Sequence, residues 1–219
     1  MSEQFYARAI NFLAFAVRPI SRTTVIGLGN IPSEGAAILT PNHISQLDPV
    51  LLGVKLSTKR HVRALAKASL FKVPIIGFVL TRMSHIPVNR DSNKATDSLL
   101  AAKMALQKGE IIAVYPEGTI PDNLAVLGPI KSGAARLSLE TGAPIIPIGQ
   151  WGAQNILPNK GNPLWKLITA FFTRPRHTIV IGQPIYPPVY DGTHNTEIIN
   201  SYKLEIAAAI EALVAPIRS

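Results

Sequence analysis

A histidine and an aspartate five positions apart, His43 and Asp48, stand in the segment Pro41-Asn42-His43-Ile44-Ser45-Gln46-Leu47-Asp48-Pro49. On one continuous helix such a pair points about 140° apart, so the two side chains can meet only across a turn. Asp48-Pro49 supplies one: an acidic cap and a proline in the first turn start a helix there, leaving His43 in the preceding loop. An aspartate so placed accepts a hydrogen bond from one imidazole nitrogen, fixes the tautomer and leaves the other nitrogen as a base. The plainer reading makes Asp48 a helix cap and His43 a loop histidine, and a His-x4-Asp pair arises by chance in about one such chain in ten. Gly-x-Ser-x-Gly does not occur, cysteine is absent, and Ser45 lies in the histidine's own loop. With no protein nucleophile beside the pair, the attacking hydroxyl has to come from a substrate, which points to direct group transfer.

A second polar cluster is Ala113-Val114-Tyr115-Pro116-Glu117-Gly118-Thr119, where an apolar strand gives way to a turn. Proline fixes the exit, Gly118 permits close backbone approach, and Glu117 and Thr119 offer polar contacts. A plain strand-end turn has the same composition, but ligands of α/β folds sit at such strand ends. Lys67, Arg90 and Lys131 fall near the ends of predicted strands or loops. A phosphate there meets both charge and unpaired backbone amides, although any one of the three is also an ordinary surface cation.

The elements that must position these groups alternate between the two periods. Apolar and polar residues alternate or run together as strands over 23–28, 36–40, 62–66, 86–88, 111–115, 144–148 and 177–181. Helical spacing or caps mark 48–56, 93–107, 132–140 and 197–214, with Ser92 and Gly142 as signals at their ends, while 74–80 is a short apolar segment without a clear period. This order predicts a single α/β domain with a mixed, largely parallel sheet flanked by helices. Ahead of it, residues 3–17 read as an amphipathic helix with a broad apolar face and arginines near both ends, stopped by Pro19. Such a helix either packs on the core or lies in a bilayer interface.

Composition narrows the class. The 219 residues are 47% hydrophobic and 16% charged, with mean hydropathy +0.23, too apolar for a disordered chain. No apolar run reaches the length of a spanning helix. Absent cysteine excludes a disulfide framework, a thiolate metal site and a cysteine nucleophile. Lys and Arg number 22 against 13 Asp and Glu, a net +9 suited to anionic partners. Aromatics are 6% and are not interleaved with the basic residues, which sets nucleic acid behind a membrane surface or a phosphorylated ligand.

In order, Asn42-His43-x4-Asp48, Ser84-His85-Ile86-Pro87-Val88-Asn89-Arg90, Tyr115-Pro116-Glu117-Gly118-Thr119 and Ala143-Pro144-Ile145-Ile146-Pro147-Ile148 resemble four blocks of the phospholipid and glycerol acyltransferases. They resemble the lysophosphatidic acid acyltransferase type in particular, over about residues 23–190. The resemblance implies His43 as general base, oriented by Asp48, on the free hydroxyl of lysophosphatidic acid. That oxygen attacks the thioester of acyl-CoA or acyl carrier protein, giving phosphatidic acid with no cofactor or metal. It implies a binding role for Arg90, Glu117, Gly118 and Thr119 toward the glycerol phosphate, phosphate contacts from Lys67 and Lys131, and support of the histidine turn by Asn42. The neighbouring activities are acylation of glycerol 3-phosphate or of another lysophospholipid, and a reading of another class is a basic, non-catalytic lipid-binding protein. Two departures stand out: Ser84 where the second block begins with glycine, and Ile120-Pro121 where the third continues with arginine and serine.

A lipid acceptor also decides the N-terminal helix. Residues 1–20 become a membrane-docking helix on an acyltransferase domain of residues 21–219, with the stretches 70–80 and 164–172 adding apolar docking surface. The N-terminal stretch lacks the basic start and cleavage pattern of a signal peptide. The expected location is the cytoplasmic face of the cell membrane, held peripherally, with no nucleic acid partner.

Overall fold

A computed structural model describes residues 3–57, 59–89, 95–158, 162–190 and 195–218. Its elements are α1 Glu3–Val17, β1 Arg22–Ile26, β2 Ala37–Pro41, α2 Asp48–Leu56, β3 Val62–Lys67, α3 Pro74–Arg82 and β4 Ile86–Val88. They continue with α4 Ala95–Gln107, β5 Ile111–Ala113, α5 Gly133–Thr141, β6 Ile145–Trp151, α6 Pro163–Thr173, β7 Arg176–Ile181 and α7 Thr196–Val214. The strands form one sheet in the order β1-β7-β6-β2-β5-β3-β4. Every neighbouring pair is parallel except β6 with β7, so the sheet is mixed and mostly parallel, as the pattern of elements predicts.

The centre of that sheet is where the sequence is most apolar. β2 and β5 are buried along their whole length and β6 nearly so, as strands covered on both faces must be. Alternate residues feed opposite cores. Ile38, Ile112 and Ile145 pack with Ala102, Leu106, Ala135 and Tyr202 from α4, α5 and α7. Their neighbours Leu39, Ile111 and Ile146 pack with Leu52 and Leu56 of α2. A third cluster joins Val17 of α1, Leu51 of α2 and Ala170 of α6 to Ile44, the residue after His43. The site loop is thereby wedged between three helices.

One local expectation changes. The apolar stretch after Val73 is the helix α3, with Pro74 in its first turn, where the missing N–H costs nothing. The α4 start signals, Ser92 and Asn93, lie outside the described residues. Ser84 takes φ 58, the left-handed conformation that glycine adopts freely, so its departure from the glycine of the resembled block carries backbone strain.

Buried histidines set an acid limit on this fold. His85 Nδ1 accepts from the Ala64 N–H at 2.9 Å, which requires the neutral ring. Burial first, then the nearby His61 and Arg63, pushes its pKa down to about 4; burial and Lys55 do the same to His177. Below the ordinary value near 6.5 the unfolded chain takes up protons that the folded chain refuses until about 4. Stability therefore falls as pH drops through that window, by about 3 kcal/mol per histidine at the lower end. The thermal unfolding midpoint is expected to drop between pH 7 and pH 4.5, and His85→Asn, whose oxygen still accepts from Ala64, should flatten the drop. An equally steep profile in that variant would remove His85 as a cause.

Candidate active site

Strands β2 to β6 run in one direction, so the segments following β2, β3, β4 and β5 all leave the sheet at one end. The loop after β2 is held first by Asn42. Its amide donates to the Gln150 carbonyl at 3.0 Å and accepts from the Gln150 N–H at 2.7 Å, while Gln150 Nε2 donates to the Asn42 carbonyl at 2.6 Å. Both residues are buried, and together they clamp the loop to β6. The amide of Asn42 is thus a positioning group, with its hydrogen-bonding ends already engaged.

His43 Nδ1 lies 2.9 Å from Asp48 Oδ2. A carboxylate only accepts, so Nδ1 carries the proton and Nε2 keeps its lone pair. The same Asp48 oxygen accepts from the N–H groups of Ile44 at 2.6 Å and Ser45 at 2.8 Å. The sequence suggests Asp48 as the helix cap, but Asp48 is the first residue of the helix itself. Leu47 occupies the cap position without a side-chain bond, and the aspartate turns back to gather the loop. Its position as the first residue of α2 lets the helix dipole favour the carboxylate. Full burial pushes the Asp48 pKa up, and the bonds from His43, Ser45 and Ile44 pull against that. Tyr115 covers the imidazole, with ring centroids 4.4 Å apart and planes inclined at 39°.

Glu117 bridges two stretches of main chain. Its Oε1 accepts from the His43 N–H at 2.7 Å and its Oε2 from the Gly128 N–H at 2.9 Å. The carboxylate is buried, which raises its pKa against the pull of those two bonds. Both oxygens are therefore committed to main chain, and Glu117 ties the histidine loop to the segment around Gly128. Gly118 follows at φ 70, and a Cβ built there comes within 3.0 Å of Lys131 Nζ, so the lysine lies across the glycine. The Lys131 N–H donates to the Pro116 carbonyl at 2.8 Å. Lys131, Thr119 and Lys67 are exposed, Lys67 as the last residue of β3 opposite Val88 of β4. Arg90 lies outside the described residues.

A shallow cleft of about 10 Å³, open to solvent, lies at this cluster. Its walls include Asn42, His43, Glu117 and Arg218, with Leu124, Leu127 and Val214 among the apolar members; Lys67 and Lys131 are not part of them. Ser45 is no nucleophile: its buried hydroxyl donates to the Leu157 carbonyl at 2.6 Å. Among the described residues no group of three or more acids and histidines could hold a metal. Gln150 and Gly128 are the positioning residues that motif reading misses. A buried-type run interrupted near its end by a glutamine was the available signal for the first; a lone loop glycine carries none for the second.

A sequence model of the family described as Acyltransferase matches residues 22–151. The chloroplastic 1-acyl-sn-glycerol-3-phosphate acyltransferase BAT2 of Brassica napus is 31% identical over 147 residues, 66% of this chain and 42% of that protein. The 1-acyl-sn-glycerol-3-phosphate acyltransferase of Bacillus subtilis is 26% identical over 157 residues, 72% of this chain and 70% of that one. The chain spans about half the length, or less, of the first curated relatives it matches. The crystal structure of the LPA acyltransferase PlsC from Thermotoga maritima superposes with a TM-score of 0.69 at 22% identity, over 97% of this chain and 83% of that one, a likeness of fold. The family match takes in the His43–Asp48 pair, the Glu117 turn and the strands that carry both, and by it this chain belongs to the acyltransferase family.

Proposed function

We propose that this protein transfers a fatty acyl group from a thioester to the free hydroxyl of lysophosphatidic acid, forming phosphatidic acid. The observation that carries the reading is the His43 ring, held by Asp48 through Nδ1, bordering the cleft with Nε2 unengaged among the described residues. Relatives bearing the name 1-acyl-sn-glycerol-3-phosphate acyltransferase support the choice of acceptor. Nε2 takes the proton of the acceptor hydroxyl as its oxygen attacks the thioester carbonyl. The tetrahedral oxyanion collapses, the C–S bond breaks, and the thiolate leaves with the proton from the imidazolium, which Asp48 stabilises meanwhile. Transfer is direct, since the chain has no cysteine and Ser45 is committed elsewhere. Lys67 and Lys131, with Arg90, supply cations for the acceptor phosphate; the donor is acyl-CoA, with acyl carrier protein as the other carrier of the same thioester.

The acceptor is a lipid, and the chain has a surface to meet it. No helix among the described residues is long and apolar enough to cross a membrane. Yet α1 exposes Phe12 (70%) and Phe15 (80%), and α6 exposes Trp165 (66%) and Phe172 (79%). α3 adds Ile75 and Phe78, and the Arg82 guanidinium sits over the Phe5 and Phe78 rings at 5.1 and 5.9 Å. Apolar helices rimmed by Arg18, Lys72, Arg174 and Arg176 suit an anionic leaflet, on the cytoplasmic side where acyl thioesters are made.

The test supplies labelled acyl-CoA or acyl carrier protein with lysophosphatidic acid, glycerol 3-phosphate and other lysophospholipids, each in anionic vesicles or in detergent. Phosphatidic acid from lysophosphatidic acid is the expected product. Turnover restricted to another acceptor would reassign the substrate, a result that Ile120-Pro121 makes worth seeking. Replacing Trp165, Phe171 and Phe172 with serine should cut vesicle co-sedimentation while turnover in detergent holds. Unchanged sedimentation would take α6 out of the docking surface.

A further inference from the structure

The cleft at His43 has fewer available polar groups than its walls suggest. Asn42 is spent on Gln150, both Glu117 oxygens on main chain, and His43 Nδ1 on Asp48. Most remaining walls, such as Leu124, Leu127 and Val214, are apolar. Among the described side chains that line it, two polar groups keep a donor or acceptor atom with no partner: His43 at Nε2 and the guanidinium of Arg218.

Arg218 stands just after α7, well outside the family match at residues 22–151. It is held with care. Nη1 donates to Glu211 Oε1 at 2.8 Å and Nη2 to Glu211 Oε2 at 3.0 Å, a parallel fork that fixes the plane of the group. Its carbon lies 5.9 Å from the centroid of the Trp151 ring, and Trp151 ends β6, the strand to which Gln150 clamps the histidine loop. A guanidinium has five N–H donors, and Glu211 takes two of them. The Nε–H is buried and has no partner among the described residues, so the donors in reserve are the second hydrogens on Nη1 and Nη2. A cation with donors in reserve, oriented by a carboxylate on one side and bordering the base's own cleft on the other, has the form of an anion contact.

We propose that Arg218 binds a phosphate oxygen of a substrate in the His43 cleft. This rests on the acyl-transfer reading only in taking the substrate to bear phosphate. That phosphate belongs either to the glycerol phosphate of the acceptor or to the carrier group of the thioester, chemically the same ligand for a guanidinium. Among apolar walls a charge-assisted bond is stronger than in water, and its loss costs ~10- to 100-fold in affinity. Glu211 is then a positioning residue acting through Arg218.

Three variants, Arg218→Ala, Arg218→Lys and Glu211→Gln, are assayed with acceptor and donor concentrations varied independently. In parallel, glycerol 3-phosphate and coenzyme A are titrated calorimetrically into each protein without turnover. Arg218→Ala is expected to raise KM for one substrate by ~10- to 100-fold, with kcat and its pH profile within a few-fold of the parent. A rise for the acceptor alone, with weaker glycerol 3-phosphate binding, assigns the acceptor phosphate. A rise for the donor alone, with weaker coenzyme A binding, assigns the carrier phosphate. Unchanged KM and unchanged binding for both overturn the proposal. Should the alanine variant unfold, Arg218→Lys keeps the charge and loses the fork, and Glu211→Gln loosens only the orientation; a parental KM in both is equally fatal. If the parent turns over no thioester, the acyl-transfer reading fails, and the two titrations still decide Arg218.

Discussion

Thioester turnover by His43→Ala is expected to fall by ~10²- to 10⁴-fold, the contribution of a positioned general base. Protein fold and acceptor affinity should both survive. The ring is only 16% exposed, but its single hydrogen bond goes to an Asp48 oxygen that keeps the Ile44 and Ser45 amides without it. The loop is held independently by the Asn42–Gln150 clamp and by Glu117 on the His43 N–H, a main-chain bond that alanine retains. Steady-state rates with saturating lysophosphatidic acid, beside a thermal unfolding curve, make the measurement. A variant within about threefold of the parent would strip His43 of the role of base. Asp48→Asn should be almost as slow and less stable, because an amide cannot accept all three bonds that converge on Oδ2 without also presenting donors to that pocket.

Glu117→Ala separates two accounts of the same residue. As an acceptor-binding group, suggested by the third block, its loss raises KM and leaves kcat. As the tie between the His43 and Gly128 amides, its loss releases the histidine loop, and kcat falls while KM barely moves. The geometry favours the second, with a drop of ~10²-fold for a base displaced by an ångström or so. Two buried N–H groups lose their acceptor, which costs about 1–3 kcal/mol each, so the unfolding midpoint drops as well. Glu117→Gln should sit between, since one amide oxygen serves only one of the two N–H groups. A raised KM at parental kcat in both variants would return Glu117 to the substrate.

What could be read from the chain depended on how far apart the interacting residues lie. The His43–Asp48 pair was legible because both members fall in one turn, where spacing alone constrains the geometry. Strands β2 and β5 and the span of α1 were legible because period and burial agree along them. Glu117 was recognisable as special, yet its partners were not, because Gly128 and His43 meet it only through the tertiary fold. Asp48 looked like a helix cap because its flanking residues satisfy that pattern. The loop amides of Ile44 and Ser45, brought round by the turn, take the oxygen that a cap would have used. Helix α3 was illegible for a different reason: nine residues so apolar, exposed on one side and packed on the other, leave no periodic contrast. Arg218 carried no signal at all, since nothing local to it marks the cleft.

The place of β1 in the sheet has a consequence for the order of events during synthesis. Its partner is β7, and the register sets Arg22 beside Arg176 and Ile26 beside Val180. Contacts this distant in sequence are slow to form and leave an unpaired strand edge exposed meanwhile. As the polypeptide leaves the ribosome, β1 waits through every central strand before β7 emerges to receive it. β7 seats β1, and interruption of translation anywhere before β7 leaves that edge open to another chain.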